Sequence, residues 1–388
     1  MRPLYRDLLY LAIAGLLVWW LWPERYTVNA PTGRDKSAPA AELLHERLRL
    51  PVGFSIALYA SDLPGARMLR FTEAGDLLVS LPYSGQIVLL ERDGDGDRQP
   101  DGRHDLLSGL NRPHGMDLHD GWLYVAETNA IGRIRFNAAT GSIAGELERI
   151  VTDLPGGGLH WTRSLRFSPD GWLYIAVGSS CNACKERNLR RAALLRFRPD
   201  GSGGELYATG LRNTVGFDWR PGINELYGAD NGRDFLGDDF PPCELNRIER
   251  GQFYGWPYAN GDKFPDPEYG KGHEDKIRES VAPVHKFGAH TAPLGITFLR
   301  GQNLPVEYRG AALVALHGSW NRTRKQGYEV ILLHFGADGK IAERKFITGF
   351  ELNEDVIGRP VDVAEGPDGA LYISDDFTGS VYRVVINK

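Results

Sequence analysis

The chain has 388 residues, 42% of them hydrophobic and 24% charged, and a formal net charge of −5 spread along its length. That length suffices for a large buried core, and the lack of any long basic block argues against a nucleic-acid partner. Glycine (47) and proline (23) punctuate short Val/Ile/Leu/Tyr runs, which favours an all-β protein over a helical one.

In chain order, the first element is a targeting segment. Arg2 and Arg6 precede an apolar run over 8–21, which ends among Trp19, Trp20, Trp22 and Pro23. A short positive region before an apolar core reads as a secretory signal. The run is short beside the roughly 17–25 residues of a full span, and its tryptophans suit an interfacial anchor. The reading adopted is a signal peptide or membrane anchor over 1–23, uncleaved, with the body in the periplasm and tethered to the inner membrane. Residues 24–45 read as a polar tether, and 46–388 as the folded domain.

One phrase then recurs. Asp120-Gly-Trp-Leu-Tyr-Val-Ala, Asp170-Gly-Trp-Leu-Tyr-Ile-Ala and Asp368-Gly-Ala-Leu-Tyr-Ile-Ser are nearly the same. Weaker copies begin at Gly75, Asn224 and Gly310. Each is a turn followed by an apolar strand, and most copies lie 44 to 56 residues apart. Strand-built repeats of roughly 40–50 residues are propeller blades, so six copies predict a six-bladed β-propeller. The one long interval contains 251–289, too polar for core, and predicts an excursion on one face. The last strand, 379–386, is expected to complete a blade opened near the start of the domain and so close the ring. Amphipathic helices are nearly absent after residue 50, which sets aside a doubly wound α/β fold.

The residues able to carry chemistry fall between these strands. Asp93, Asp95, Asp97 and Asp101 resemble a calcium loop, but His104 stands where an EF-hand needs Glu. A solvated hairpin tip or a weak structural calcium site fits better. His160 follows a glycine run at a strand entrance, where an imidazole suits a general base, although an isolated histidine is often only structural. Cys181 and Cys184 form Cys-Asn-Ala-Cys followed by Lys185, which excludes haem attachment of the usual pattern, and no second such pair exists to complete a zinc site. A local Cys181–Cys184 disulfide is expected, with a bridge from either to Cys243 as the alternative.

Arg212-Asn213 occupies the corresponding loop of the next blade, able to aim a cation and an amide at one anionic or carbonyl group. The turn Asp230-Asn231-Gly232-Arg233-Asp234, with Asp238 and Asp239, offers carboxylates and main-chain carbonyls of the kind calcium prefers. His317-Gly-Ser-Trp-Asn-Arg and Gly358-Arg359-Pro360 follow and precede repeat strands in the same manner. Arg212, Arg322 and Arg359 would thus converge at one end of the channel, a set suited to a ligand carrying several carboxylates or phosphates.

In this combination the sequence, over roughly 50–386, resembles the quinoprotein sugar dehydrogenases. The resemblance rests on His160 before a strand, Gly210-Leu-Arg-Asn, Glu244-Leu-Asn and Tyr254-Gly-Trp-Pro. Gly178-Ser-Ser-Cys-Asn-Ala-Cys and His317-Gly-Ser-Trp-Asn-Arg look closest to the sorbosone dehydrogenase-like branch. The resemblance implies a six-bladed propeller that binds pyrroloquinoline quinone (PQQ) and Ca2+ and oxidises an aldose or a sugar-derived aldehyde. By it, His160 takes the hydroxyl proton as hydride passes to the quinone, and Arg212 and Asn213 contact the quinone oxygens. Carbonyls of Gly232 and Arg233, preceded by Asn231, hold calcium. Arg359 meets the cofactor carboxylates, and Arg322 falls near a cationic contact.

One departure stands out: glucose dehydrogenases carry an acidic residue after the glycine ending the strand that follows the catalytic histidine, whereas here Gly178 is followed by Ser179. Support for His160 must therefore differ, and glucose specificity does not carry over. The electron acceptor, a cytochrome or a quinone, is left open. A calcium-dependent lactonase on the same scaffold is the competing enzyme class. It would need side-chain metal ligands from several blades, where this sequence clusters its oxygens in one loop.

Overall fold

Each copy of the repeated phrase folds as the second strand of a four-stranded antiparallel sheet. The computed structural model describes residues 27–33 and 36–387, beginning with α1 (Ala41–Arg47) and β1 (Phe54–Ala60). Blade 1 follows as β2 (Leu69–Phe71), β3 (Leu77–Leu81), β4 (Gln86–Leu90) and β5 (Arg103–Leu107). Blade 2 is β6 (Met116–His119), β7 (Trp122–Ala126), β8 (Ile131–Asn137) and β9 (Ser142–Val151). Blade 3 is β10 (Leu165–Phe167), β11 (Leu173–Val177), β12 (Ala193–Phe197) and β13 (Glu205–Thr209).

Blade 4 opens with β14 (Thr214–Trp219), β15 (Leu226–Asp230) and β16 (Pro242–Arg247). An excursion then carries a small hairpin, β17 (Ala259–Asn260) and β18 (Phe264–Pro265), and α2 (Glu274–Glu279), before the outer strand β19 (His285–Ala289). Blade 5 is β20 (Pro293–Phe298), β21 (Ala312–Leu316), β22 (Glu329–Phe335) and β23 (Ile341–Ile347). After the short pair β24 (Glu351–Leu352) and β25 (Asp355–Val356), blade 6 is β26 (Pro360–Glu365), β27 (Leu371–Asp375) and β28 (Ser380–Ile386). Its fourth strand is β1, paired antiparallel to β28 from Phe54↔Ile386 onward. The two ends of the propeller thus share one sheet and close the ring, as the terminal strand predicts.

The phrase repeats because its strand is covered on both faces. All five residues of β3, β11, β15, β21 and β27 are buried. A strand covered on both faces reads as a continuous apolar run rather than an alternation. The turn before it is equally constrained: β6 and β7 pair His119↔Trp122, so Asp120 and Gly121 form a two-residue loop, with φ of 47° and 73°. Two left-handed residues in succession match the twist of a hairpin, which explains Asp-Gly there. Six apolar clusters form a cycle, one between each pair of adjacent blades, and Val215, Leu294 and Val361 form a smaller one among the inner strands.

The inner strands carry a second repeat that sequence reading did not detect. Around the ring the inner strands carry, in turn, Arg70, Asp117, Arg166, Asp218, Thr297 and Asp362. Each aspartate accepts a main-chain N–H of the next blade: Phe167 N to Asp117 (2.7 Å), Phe298 N to Asp218 (2.8 Å) and Leu69 N to Asp362 (3.0 Å). Arg70 pairs with Asp117 at 3.2 Å and Arg166 with Asp218 at 2.6 Å. Arg300 reaches Asp218 with both terminal nitrogens at 2.9 Å. This ring ties the blades together toward the mouth opposite the candidate site.

Two boundaries differ from the sequence reading. The tether read over 24–45 overlaps α1, whose Leu44 is buried in the cluster between blades 5 and 6. Even before α1, Asn29 N donates to Trp320 O at 2.7 Å and Asn29 Nδ2 to Glu354 at 2.8 Å. The excursion read over 251–289 gives up its last five residues to the outer strand β19, because the blade needs a fourth strand. The targeting segment over 1–23 lies outside the described residues, among which no helix is long and apolar enough to cross a membrane.

Candidate active site

The residues selected for cofactor, metal and proton chemistry lie on one face of the propeller, whereas the hairpin over 93–101, joining third and fourth strands, emerges at the other. Loops entering the inner strands carry Arg67, His160, Arg212, Asn213 and Arg359. Loops joining second and third strands carry Ser179, Cys181, Asn231, Gly232, Arg233, His317, Arg322 and Asp376. In an antiparallel blade both kinds of loop emerge at the same mouth, so the topology gathers residues from distant parts of the chain.

His160 Nδ1 lies 2.9 Å from the Ser179 carbonyl oxygen and 2.8 Å from Ser179 Oγ. A carbonyl only accepts, so Nδ1 carries the proton and Nε2 keeps its lone pair. The Ser179 hydroxyl donates onward to Cys181 O at 2.7 Å, which leaves Oγ free to accept from Nδ1. Burial and then the Arg212 charge push the imidazole down to about 3, so it is neutral. His160 is thus supported by a serine hydroxyl and a main-chain carbonyl, both of Ser179.

Two arginines that sequence reading passed over hold the His160 loop. Arg163 donates to the carbonyls of His160 (3.1 Å), Thr162 (2.7 Å) and Pro155 (2.6 Å). Arg191 reaches Pro155, Gly156 and Gly157 at 2.9, 2.6 and 2.7 Å. The glycine run leaves its carbonyls without a sheet partner, and buried guanidinium groups satisfy them.

Arg212 is buried and heavily engaged. Nε donates to Asn182 O (2.9 Å), Nη1 to Asn231 O (3.0 Å), and Nη2 to Asn182 Oδ1 (2.8 Å) and Asp234 Oδ2 (3.3 Å). Asn213 lies beside His160. A β-carbon at Gly178 would fall 2.5 Å from Asn213 Oδ1 and 2.6 Å from His160 Cβ. That Oδ1 is buried with no hydrogen-bond partner among the described residues, an expensive condition that a ligand donor would relieve.

Asn231 pins the following turn, donating Nδ2 to Asn213 O (3.1 Å) and Pro293 O (3.0 Å). The Arg233 side chain turns away into the excursion, where it pairs with Asp266 at 2.8 and 2.7 Å. Only the main chain of Gly232 and Arg233 is thus offered to the site. Beneath it, burial raises the carboxyls of Asp230 to about 6 and Glu244 to about 8, the latter also through Asp230. These two acids line one small cavity with Gly232, Asn260, Arg212 and Arg233, so carboxylate and carbonyl oxygens of the kind a hard cation takes stand there beside two arginines.

Opposite these groups, His317 Nε2 donates to Asp376 at 2.7 Å, and Arg67 pairs with the other oxygen of Asp376 at 2.7 Å. Arg359 donates to His317 O (3.1 Å) and Gly318 O (3.0 Å). Arg322 is not brought to His160 or Arg212; it binds the carbonyl of Asp238 and the carboxylate of Asp239 (2.8 Å), tying two loops together. Trp161, next to His160, lies under Arg67 (5.9 Å) and Arg112 (5.4 Å). Cys181 and Cys184 form the disulfide and Cys243 is buried and free, which decides between the two pairings. At the calcium-like hairpin, Asp93 and Asp101 accept main-chain amides of their own loop.

The profile of the glucose / sorbosone dehydrogenase family matches residues 122–383, from blade 2 to the closing strand. The chain belongs to that family. Membership makes it a dehydrogenase, an oxidoreductase of the sugar class. An uncharacterized protein of Borreliella burgdorferi is 30% identical over 365 residues, covering 90% of this chain and 93% of its own. The aldose sugar dehydrogenase YliI of Escherichia coli is 26% identical over 395 residues, 94% of each chain. A pyrroloquinoline quinone-dependent pyranose dehydrogenase of Coprinopsis cinerea is 25% identical over 417 residues, 90% of this chain and 56% of its own. The solved holo form of a pyranose dehydrogenase PQQ domain from that fungus superposes with a TM-score of 0.75 at 22% identity, covering 92% and 100% of the two chains.

Set in that family, the site has features that would suit an anionic cofactor. Arg212, Arg359 and Arg67 place buried or half-buried cations around one mouth, Asn213 holds an unmatched amide oxygen, and Gly178 keeps the approach to it bare. Arg67 was missed because a lone arginine in a loop resembles a solvated charge. Its one sequence signal is its place just before an inner strand, the place also held by Arg212 and Arg359.

Proposed function

We propose that the protein is a PQQ- and calcium-dependent dehydrogenase of aldoses or sugar-derived aldehydes, of the glucose and sorbosone dehydrogenase type. The observation that carries this reading is His160, a neutral imidazole with its proton fixed on Nδ1, standing against Asn213. The names of the Escherichia coli and Coprinopsis relatives support it. PQQ, when bound, supplies the two-electron acceptor that no side chain here provides.

The protein's own part is acid–base chemistry and orientation. His160 Nε2 accepts the proton of the sugar hydroxyl, and Ser179 keeps the ring in the tautomer that does so. Arg212 and Asn213 orient the cofactor's oxygens, while Arg359 and Arg67 meet its carboxylates. Carbonyls of Gly232 and Arg233 would hold calcium, which when bound would polarise the quinone. The competing lactonase would recruit metal-binding side chains from several blades, whereas Asp230 and Glu244 both belong to blade 4. An exported location is part of the proposal, and the Cys181–Cys184 disulfide favours it.

The experiment is a titration of apo-protein with PQQ in calcium buffer, followed by absorbance and by dye reduction with a panel of aldoses and aldehydes. Stoichiometric uptake with sugar-dependent bleaching is expected. His160→Ala should retain uptake and lose turnover. Absence of uptake with and without calcium would overturn the reading.

A further inference from the structure

The Cys-Asn-Ala-Cys loop touches both halves of the site. On one side, the Cys181 carbonyl accepts the Ser179 hydroxyl at 2.7 Å, and that same Oγ faces His160 Nδ1 at 2.8 Å. On the other, Asn182 takes hold of Arg212 twice, through its main-chain oxygen at 2.9 Å and its Oδ1 at 2.8 Å. Asn182 Oδ1 also accepts Asp234 N at 2.8 Å, and Nδ2 donates to Asp234 O at 3.0 Å. One asparagine therefore fixes a buried cation and the turn that follows Gly232 and Arg233.

Two residues separate the bonded cysteines, so the loop has little conformational freedom of its own. From the excursion, Tyr269 adds a hydroxyl donor to Ala183 O at 3.2 Å. Its four residues are half-buried, and Cys181 and Asn182 bond Ser179, Arg212 and Asp234 of the site.

We propose that the disulfide-closed loop 181–184 is a positioning element that sets His160 and Arg212 relative to one another, with Asn182 as its principal positioning residue. The proposal deepens the dehydrogenase reading and rests on it for the consequence in turnover. Asn182 touches neither sugar nor reacting atoms in this scheme; it acts by holding Arg212 in one rotamer and the 231–234 turn in one register. A hydrogen-bonded charged group that loses such partners gains alternatives, and effects of tenfold or more are usual for bonds to charge.

The test compares wild type, Asn182→Ala and the double variant Cys181→Ser with Cys184→Ser, all as full chains. The first readout needs no cofactor: the Arg212 Nε–H resonance of 15N-arginine-labelled apo-protein and its hydrogen exchange. Asn182→Ala should shift that signal and speed its exchange. The second readout is PQQ titration, where the dissociation constant should rise about tenfold and kcat per occupied site should fall, with the sugar KM little changed. The double variant should move both readouts in the same direction, since the loop is then held by hydrogen bonds alone.

Failure of wild type to bind PQQ would remove the dehydrogenase reading, while the arginine signal would still decide whether Asn182 fixes Arg212. An unchanged arginine signal in Asn182→Ala would overturn the proposal. A loss limited to melting temperature and active fraction, with affinity and kcat per site unchanged, would overturn it equally. A double variant indistinguishable from wild type would remove the disulfide from the positioning element.

Discussion

Arg233 Nη1 lies 2.8 and 2.7 Å from the two carboxylate oxygens of Asp266, with both side chains buried, and this ion pair joins the turn of blade 4 to the excursion. Asp266 also accepts the amides of Glu268 and Tyr269 and the side chain of Asn260. The polar excursion thus serves as an anchor for the turn that offers the Gly232 and Arg233 carbonyls. Asp266→Ala would strand a buried guanidinium, a loss of about 3–5 kcal/mol when such pairs are broken. Urea unfolding of the apo-protein should show it, and calcium should stabilise the variant less than it does wild type. A variant unfolding at the wild-type midpoint would deny the excursion this role.

Gly178 makes a sharper test of the site itself. A β-carbon there would meet the Asn213 amide oxygen at 2.5 Å and His160 Cβ at 2.6 Å, closer than carbon atoms can rest. Gly178→Ala should force one of the two side chains aside, at a typical overpacking cost of about 1–3 kcal/mol. Turnover should fall more than stability does, because His160 and Asn213 are the groups displaced. Steady-state kinetics beside a melting curve would separate the two effects; equal turnover in the variant would mean that the two side chains need not stand together.

The propeller was legible in the sequence because its second strands are buried on both faces and each follows a glycine turn, a combination that survives as a visible phrase. His160, Arg212, Asn213 and Arg359 were legible by place, each just ahead of an inner strand. The supports were not. Arg163, Arg191 and Asn182 act on carbonyls and amides, which leave no trace in side-chain chemistry, and Asp266 lies 33 residues from the arginine it pairs with. Arg322, read from the family resemblance as a cationic cofactor contact, ties the Asp238 carbonyl and the Asp239 carboxylate, partners that the sequence does not signal.

His160 also predicts a pH dependence whose sign can be worked out. Burial and Arg212 lower its folded-state value to about 3, from 6.5 in the unfolded chain. Between those limits the unfolded chain takes up a proton that the folded one refuses. The stability His160 contributes is therefore complete above pH 6.5 and is lost as pH falls toward 3, by at most ~2 kcal/mol at pH 5. His160→Gln does not titrate, so its unfolding midpoint should fall less between pH 7 and 5 than that of wild type. Parallel curves for the two proteins would show that His160 titrates normally and is not held neutral.

The ring of inner-strand charges should govern stability without touching the site. Asp218 is almost fully buried and joins Arg166, Arg300 and the amides of Phe298 and Trp219. Asp218→Ala leaves Arg166 buried without its carboxylate and should cost about 3–5 kcal/mol. Arg300 is half exposed, so Arg300→Met should cost under about 1 kcal/mol. The folded fraction of Asp218→Ala should still bind PQQ with wild-type affinity, because the ring lies toward the opposite mouth. Blade-to-blade ties and site chemistry would then be separable functions of the same channel. A matching loss of affinity would instead mean that the inner strands carry strain from one mouth to the other.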